Sequence, residues 1–443
     1  MAGSSAAAHG TLVREMSLPT PTARAPHRFL LGAWFAAGLG LVTDVALAQP
    51  TLPAVPWVGP ATPALDSPGA AAARAVLPHL RLPPGFQIEP FAMVPGARHL
   101  AVSPSGTQLV VGSRQDRVWQ VRERGPADRE VRLVAPELSW RLPNGVCWGA
   151  DGTLFVAELN RVLALPRAES LSDDDRVSAV AVVPQGQLVP PEEATANHGA
   201  RVCRVDAQGR LYLALGQPYN VQPRGKVALY ERLGIGGIIR MDGRDGSRRE
   251  VLAVGIRNSV GLTLQPGSQT VWFTDNQTDR LGDDTPPGEL NRITQPAPEH
   301  FGYPWFQGRD VRIAGSAVAT DLTDLPPPPR WTRPQAEFPA HQAQLGLTFY
   351  TGQQFPPEYR GGIFVAAHGS WNRSQPTGAL VQFVPLRPDG SAGTPQVFAE
   401  GWLDPATGRY RGRPVDVAVW RDGSLLVSDD AAGVVWRIHY RQP

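Results

Sequence analysis

Six times along the chain one short phrase returns: a glycine-bearing turn followed by four to six residues of strand-like apolar pattern. The copies read SPSGTQLVVGS (103–113), GADGTLFVAEL (149–159), DAQGRLYLALG (206–216), QPGSQTVWFTD (265–275), YRGGIFVAAHG (359–369) and WRDGSLLVSDD (420–430). In each, Gly or Asp-Gly supplies the positive φ of a tight turn into a strand. A second strand-like run follows several copies, RVWQVR after the first and GVVWRIHY after the last. A shared turn at a spacing of about sixty residues predicts small sheets repeated around an axis. A β-sandwich would not produce six copies of one phrase. The expected fold is all-β: a six-bladed β-propeller of four-stranded antiparallel blades over 81–443, with surplus residues in long loops on one face. Loops on a rigid scaffold are where such a fold keeps its chemistry. No helix-period stretch of useful length is visible.

Composition agrees and removes some functions. Abundant Gly (46) and Pro (45) fit many turns rather than a helical bundle. Lys+Arg (42) nearly balance Asp+Glu (40), and no basic run alternates with aromatics, so nucleic acid is not an expected partner. The two cysteines, Cys147 and Cys203, have no metal-ligand spacing, and the haem-attachment pattern Cys-x-x-Cys-His is absent. Each lies just ahead of a repeat turn in neighbouring blades, which leaves a buried thiol pair and a disulfide both open.

The N-terminus reads as an address. Arg24 and Arg28 precede an uncharged run from Phe29 to Val42, and Ala46-Leu47-Ala48 offers a small-x-small cleavage signal before Gln49. Residues 1–48 are therefore expected to be a removed signal peptide, its start at Met1 or at Met16. The run is shorter than the roughly twenty residues that span a bilayer. A periplasmic or secreted protein without stable membrane insertion follows. Residues 49–80 are Ala/Pro-rich without strand or helix period, and read as a linker or as a strap over the propeller.

Between the repeats stand phrases of another kind: LPNGV (142–146), GIRNSVGL (255–262), LGDDTPPGELNRI (281–293), HFGYPW (300–305), LGLTFYTGQQFPPEYRG (345–361), HGSWNRS (368–374) and GRPVDV (412–417). Seven phrases in this order resemble the soluble quinone-dependent glucose/sorbosone dehydrogenases, the sorbosone dehydrogenase group in particular, from about Leu82 to Tyr440. The resemblance implies a propeller holding pyrroloquinoline quinone (PQQ), with Ca2+, on its loop face. It implies a sugar or sugar-aldehyde substrate oxidised to a lactone or acid, and an external electron acceptor, a cytochrome or a quinone. By the same resemblance His198 is the general base and Arg257 polarises the reactive carbonyl. Asn144, Arg257, Asn258, His368, Trp371, Arg373 and Arg413 line the cofactor site. The TDNQTD loop (274–279), at Gln277 and Thr278, offers backbone oxygens to the metal. The sequence departs from the family in two places: Asn197 precedes His198 where relatives carry an acid, and AAHGSWNR holds no Lys, leaving His368 or Arg373 in its stead.

The residue types suit that chemistry. PQQ is planar with three carboxylates, which forked guanidinium groups pair bidentately and an indole can stack upon. Imidazole titrates near working pH, as a general base should. Each residue also has a plainer reading. His198 could be exposed or structural, Arg257 and Asn258 could cap a turn, and Trp371 could pack between blades. Arg411 and Arg413 could be surface charges, Asp283 and Asp284 a solvated loop, and Glu289 and Asn291 loop braces. Two other functions compete: a calcium-dependent lactonase, which needs a carboxylate-rich centre, and a non-catalytic binding module.

Overall fold

The structure, a computed structural model, describes residues 49–62, 68–125 and 128–441. The expected signal peptide, 1–48, lies outside the described residues.

Six small sheets form a propeller. Blade 1 runs outward through Leu100–Val102, Gln108–Val111, Trp119–Glu123 and Arg129–Val134, and blade 2 through Gly145–Trp148, Leu154–Ala157, Val162–Leu165 and Val180–Val183. Blade 3 comprises Val202–Val205, Arg210–Leu215, Gly237–Asp242 and Glu250–Val254; blade 4 comprises Leu262–Leu264, Val271–Asp275, Gly288–Arg292 and Ala336–Phe338. Blade 5 holds Gln344–Phe349, Ile363–Ala367, Leu380–Val384 and Gln396–Ala399. Blade 6 takes Pro414–Val419, Leu425–Asp429 and Val434–Tyr440 from the C-terminus, and its outer strand, Phe86–Met93, from before blade 1. Both ends of the propeller thus share one sheet, and the innermost strands touch in an unbroken ring.

Why the repeat phrase makes this fold is visible in its second strands. Strand side chains alternate between faces, and here both faces are buried. Leu109 and Val111 enter the seam between blades 6 and 1, while Val110 enters the seam between blades 1 and 2. Leu154 and Val156 face blade 1, whereas Phe155 and Ala157 face blade 3. Each of the six seams is its own apolar cluster. That is why these runs are continuously apolar rather than alternating.

Two sheets exceed four strands. Val58–Ala61 adds antiparallel to the outer edge of blade 1, and Glu299–His300 adds parallel to Glu250–Val254 of blade 3. Within 49–80, Val55–Pro56 also pairs with Arg176–Val177, and Trp57 is fully buried in the seam of blades 1 and 2. Two short helices occur that apolar periodicity does not announce. Pro68–Val76 (PGAAAARAV) rests on the intrinsic helix preference of alanine. Val227–Leu233 buries Val227 and Tyr230 one turn apart and closes on Gly234, whose left-handed N–H donates to the Tyr230 carbonyl. Cys147 and Cys203 form a disulfide across the inner strands of blades 2 and 3, Cα to Cα 5.8 Å. No helix of the described residues is long and apolar enough to cross a membrane.

Candidate active site

Antiparallel order within a blade sends the first-to-second turns to one face of the propeller. The segments leading into each inner strand, and the second-to-third loops, go to the other. The glycine turns of the repeat therefore all open on one face. On the opposite face, around the axis, lies a cavity of about 230 Å³.

Three guanidinium groups line it: Arg98 and Arg114 of blade 1 and Arg257 ahead of blade 4. Arg257 is 3 % exposed and has one Nη1 N–H left without a hydrogen bond among the described residues. Its Nε donates to the Asn220 carbonyl (2.9 Å), and Nη2 donates to Asn220 Oδ1 (2.9 Å) and Asp279 Oδ2 (2.8 Å). Beneath it, the buried Asp275 carboxylate at the end of its strand accepts the backbone N–H of Arg257 (2.9 Å) and of Asn258 (2.7 Å). The same device recurs at the corresponding strand ends: Glu158 accepts the Arg141 N–H, and Asp429 accepts the Arg413 N–H. Burial raises the Asp275 carboxyl, and burial with the neighbouring Asp275 charge raises Glu289, its cross-strand partner. Asn258 is buried, and its Oδ1 has no hydrogen-bond donor among the described residues.

Three histidines reach the cavity. His198 has a left-handed backbone (φ 52) and places Nδ1 2.6 Å from the Gln217 carbonyl. A carbonyl only accepts, so Nδ1 carries the proton and Nε2 keeps its lone pair. Burial and then the Arg257 charge lower its pKa to about 3, so the imidazole is neutral. His341 directs Nε2 at the Gly282 carbonyl (2.8 Å). His368 directs Nε2 at Asp430 Oδ1 (2.9 Å). Trp371 stands at the rim, 70 % exposed, so it is not packed between blades.

A TrAA12-like family model matches residues 242–441. That span contains Arg257, Asn258, His368 and Trp371 but not His198 or Arg98. Across the longer chain, an uncharacterized protein of Borreliella burgdorferi is 28 % identical over 378 residues, 84 % of this chain and 93 % of the relative. Among solved structures, the PQQ domain of a pyranose dehydrogenase from Coprinopsis cinerea superposes with a TM-score of 0.64 at 18 % identity, covering 81 % of this chain and 97 % of that one. A calcium structure of a family AA12 enzyme of Trichoderma reesei gives 0.63 at 18 % over 82 % and 97 %. The soluble aldose sugar dehydrogenase of Escherichia coli, in its apo form, gives 0.54 at 19 % over 80 % and 100 %. At these identities the structural likeness establishes the six-bladed fold.

Of the residues singled out in the sequence, His198, Arg257, Asn258, Gln277, His368 and Trp371 line the cavity. Four others stand behind it. Asn144 bridges blades, accepting from Arg98 Nε (3.0 Å) and donating to the Arg201 carbonyl (2.8 Å). Arg413 braces the 368–369 turn through the carbonyls of His368 (3.0 Å) and Gly369 (2.8 Å). Arg373 is tied to the Asp283 carbonyl and to Asp284, so the Arg373–Asp283 contact pins one loop to another. Thr278 is fully buried, with its N–H on Gln307 Oε1 (2.9 Å) and its hydroxyl oxygen without a partner among the described residues.

Sequence reasoning missed Arg98, Arg114, His341 and, behind them, Asp430; it placed the 274–279 and 368–374 loops at the site without picking out Asn276, Asp279 and Asn372. A signal for part of this set exists. An Arg or Asn recurs five to eight residues ahead of the repeat phrase: Arg98, Asn144, Arg201, Arg257 and Arg413. Its period places Arg98 beside the others on the loop face.

Proposed function

We propose that the protein is an exported, PQQ-dependent oxidoreductase acting on an aldose or a sugar aldehyde such as sorbosone, giving the lactone or acid. One observation carries this reading: guanidinium groups, a neutral histidine with a free Nε2 and an exposed indole converge on one axial cavity. A planar tricarboxylate needs that set, cations at its edge and a flat partner on its face. The unpartnered Asn258 Oδ1 is an acceptor awaiting an N–H or O–H donor. When bound, PQQ supplies a two-electron acceptor for hydride leaving the substrate carbon. Arg98, Arg114 and Arg257 would hold its carboxylates or carbonyl oxygen, with Trp371 over its face. His198 Nε2 accepts the proton of the substrate hydroxyl, and the Nδ1–H bond to Gln217 keeps the ring aimed while it does so. Asp279 and Asn220 keep Arg257 from swinging away.

Carboxylates do not build a calcium cage here, so Ca2+ would be held by backbone oxygens of the 274–279 loop, at Gln277 and Thr278. Among the described residues no group of three His, Cys, Asp or Glu could hold a metal. Gln277 donates its amide N–H to Gln344 Oε1 (3.3 Å), which leaves its Oε1 available, while Asp279 is paired with Arg257. The same paucity of carboxylates weighs against a lactonase, since Asp279 is the cavity's sole acidic lining residue among those described. Export accords with the disulfide, which an oxidising compartment preserves. A cytochrome or a quinone would take the electrons onward.

The test is to add PQQ to the purified mature protein and follow dye reduction over aldoses, sorbosone and simple alcohols. Substrate-dependent reduction that requires the added quinone supports the proposal. Absence of quinone binding and of dye reduction with every substrate would reject it.

A further inference from the structure

His198 and His368 face one cavity but are backed by opposite chemistry. Behind His198 is a backbone carbonyl, and the nearest charges are cations: Arg257, Arg114 and Arg201. An imidazolium there is repelled. Behind His368 is a carboxylate, Asp430, at 2.9 Å from Nε2. Asp430 is itself fixed by Arg98 Nη1 on its other oxygen, and Arg98 is fixed in turn by Asn144 Oδ1 (3.0 Å). The His368 carbonyl accepts from Arg413 Nε (3.0 Å), and its N–H donates to the Ala343 carbonyl. The ring is thereby held, with Nε2–H on Asp430 and the Nδ1 lone pair left over.

We propose that the cavity divides acid from base between these two histidines: His368, backed by Asp430, takes up one proton from solvent when a polycarboxylate occupies the cavity, while His198 stays neutral. The inference rests on the function proposed above only for the identity of that anion.

The physical reason is the balance of charge around His368. Burial lowers its pKa to about 4, and Arg98 and Arg413 add to that, against the pull of Asp430. The groups facing it are thus one carboxylate and two cations; Arg114, Arg257, Asp279, His198 and His341 share the cavity. Burial alone would raise Asp430, but His368 and Arg98 outweigh it and hold the carboxyl well below its usual range. Asp430 therefore stays ionised and cannot itself take the proton. Adding carboxylates to the cavity cancels the cations that oppose protonation, while Asp430 remains. At His198 the same anion only offsets the repulsion, with no carboxylate behind the ring to hold the imidazolium. Two like groups with environments that separate their protonation are the usual arrangement of an acid and a base. The loaded site would then hold a proton donor on blade 5 and an acceptor ahead of blade 3. Asp430 and Arg98 act through His368 and are positioning residues.

The test is calorimetry of the full-length mature protein with two titrants, PQQ and the redox-inert benzene-1,3,5-tricarboxylate. Runs in buffers of different ionisation enthalpy at about pH 6 count the protons taken up. Imidazole NMR of the same samples assigns them. We expect uptake near one proton per ligand, with the His368 resonances moving to the imidazolium position and those of His198 unchanged. Asp430→Asn, which keeps shape and removes charge, and His368→Gln should each abolish uptake while binding persists; His198→Gln should retain it. Binding of either ligand without uptake, or uptake that survives Asp430→Asn, overturns the inference. Uptake with the tricarboxylate but no binding of PQQ would leave the inference standing and reject the quinone. Failure of both to bind rejects both.

Discussion

The strand Arg210–Leu215 begins after Gly209 and ends before Gly216, and the two glycines are there for different reasons. Gly209 sits on the turn face with φ +76 and open space where a Cβ would go. Its requirement is conformational and local. Gly216 sits on the site face with no positive φ, but a Cβ there would fall closer than 3.0 Å to Asn258 Oδ1 and to the backbone and Cβ of His198. Its requirement comes from two other parts of the chain. Carboxylates on the two faces differ in the same way. Asp206, on the turn face, is raised by burial but lowered further by hydrogen bonds from Arg210 and Tyr212, close neighbours in sequence. Asp275, on the site face, is raised by burial, and its cross-strand partner Glu289 by burial and by the Asp275 charge. Turn-face residues answer to their neighbours in sequence, and site-face residues answer to the assembled ring.

The contrast is open to breakage by substitution, most severely at the base. His198→Ala should lower kcat by about a hundred- to ten-thousandfold while Tm stays close to that of the parent, as steady-state kinetics and calorimetry would show. Equal losses of folding and activity would mean that the residue is structural. Next comes the disulfide, whose Cys147 lines the turn-face mouth of the axis. The double change Cys147→Ser and Cys203→Ser should cost about 2–4 kcal/mol of stability, with PQQ affinity unchanged. A drop in affinity would show that the seam of blades 2 and 3 shapes the cavity. The glycine pair follows. Gly216→Ala should cost about tenfold or more in activity, because crowding of this size displaces His198 and Asn258. Gly209→Ala should cost about 1 kcal/mol of stability and nothing in turnover.

The same contrast explains how far the sequence could be read. The blade count was legible because glycine turns and two-face burial are local and repeated. Arg257, Asn258 and Trp371 were legible because they lie in dense phrases unlike the repeat, and His368 because the fifth repeat copy runs at that residue into HGSWNRS. His341 gave no such mark, being defined by the Gly282 carbonyl that the ring brings beside it, and Asp279, though it closes the TDNQTD loop, gains its role only from the Arg257 set against it. Arg413 and Asn144 do lie in the site's neighbourhood, but each spends its polar atoms on bracing. The helix Pro68–Val76 escaped because alanine preference leaves no periodic stripe.

The smallest effect expected is also the most diagnostic of the site face. Glu289 accepts hydrogen bonds from the Gly308 N–H (2.5 Å) and Asn291 Nδ2 (2.8 Å), and burial and Asp275 push its pKa up to about 8. Because the folded value lies above the unfolded one, the stability that this group confers is complete below about pH 4.3 and is lost as pH rises through 8. Glu289→Gln removes that loss. Its new amide N–H would meet Asn291, whose Oδ1 has no partner among the described residues, and turning the Asn291 amide over restores the bond. The variant should match the parent in acid and exceed it in alkali, read as a difference in Tm that widens from about pH 5 to 9. Asp206→Asn should run in the opposite sense. The folded value of Asp206 lies below its unfolded one, so its contribution is present above about pH 4 and fades on acidification. If both variants followed the same pH course, the separation of the two faces by their electrostatics would be wrong.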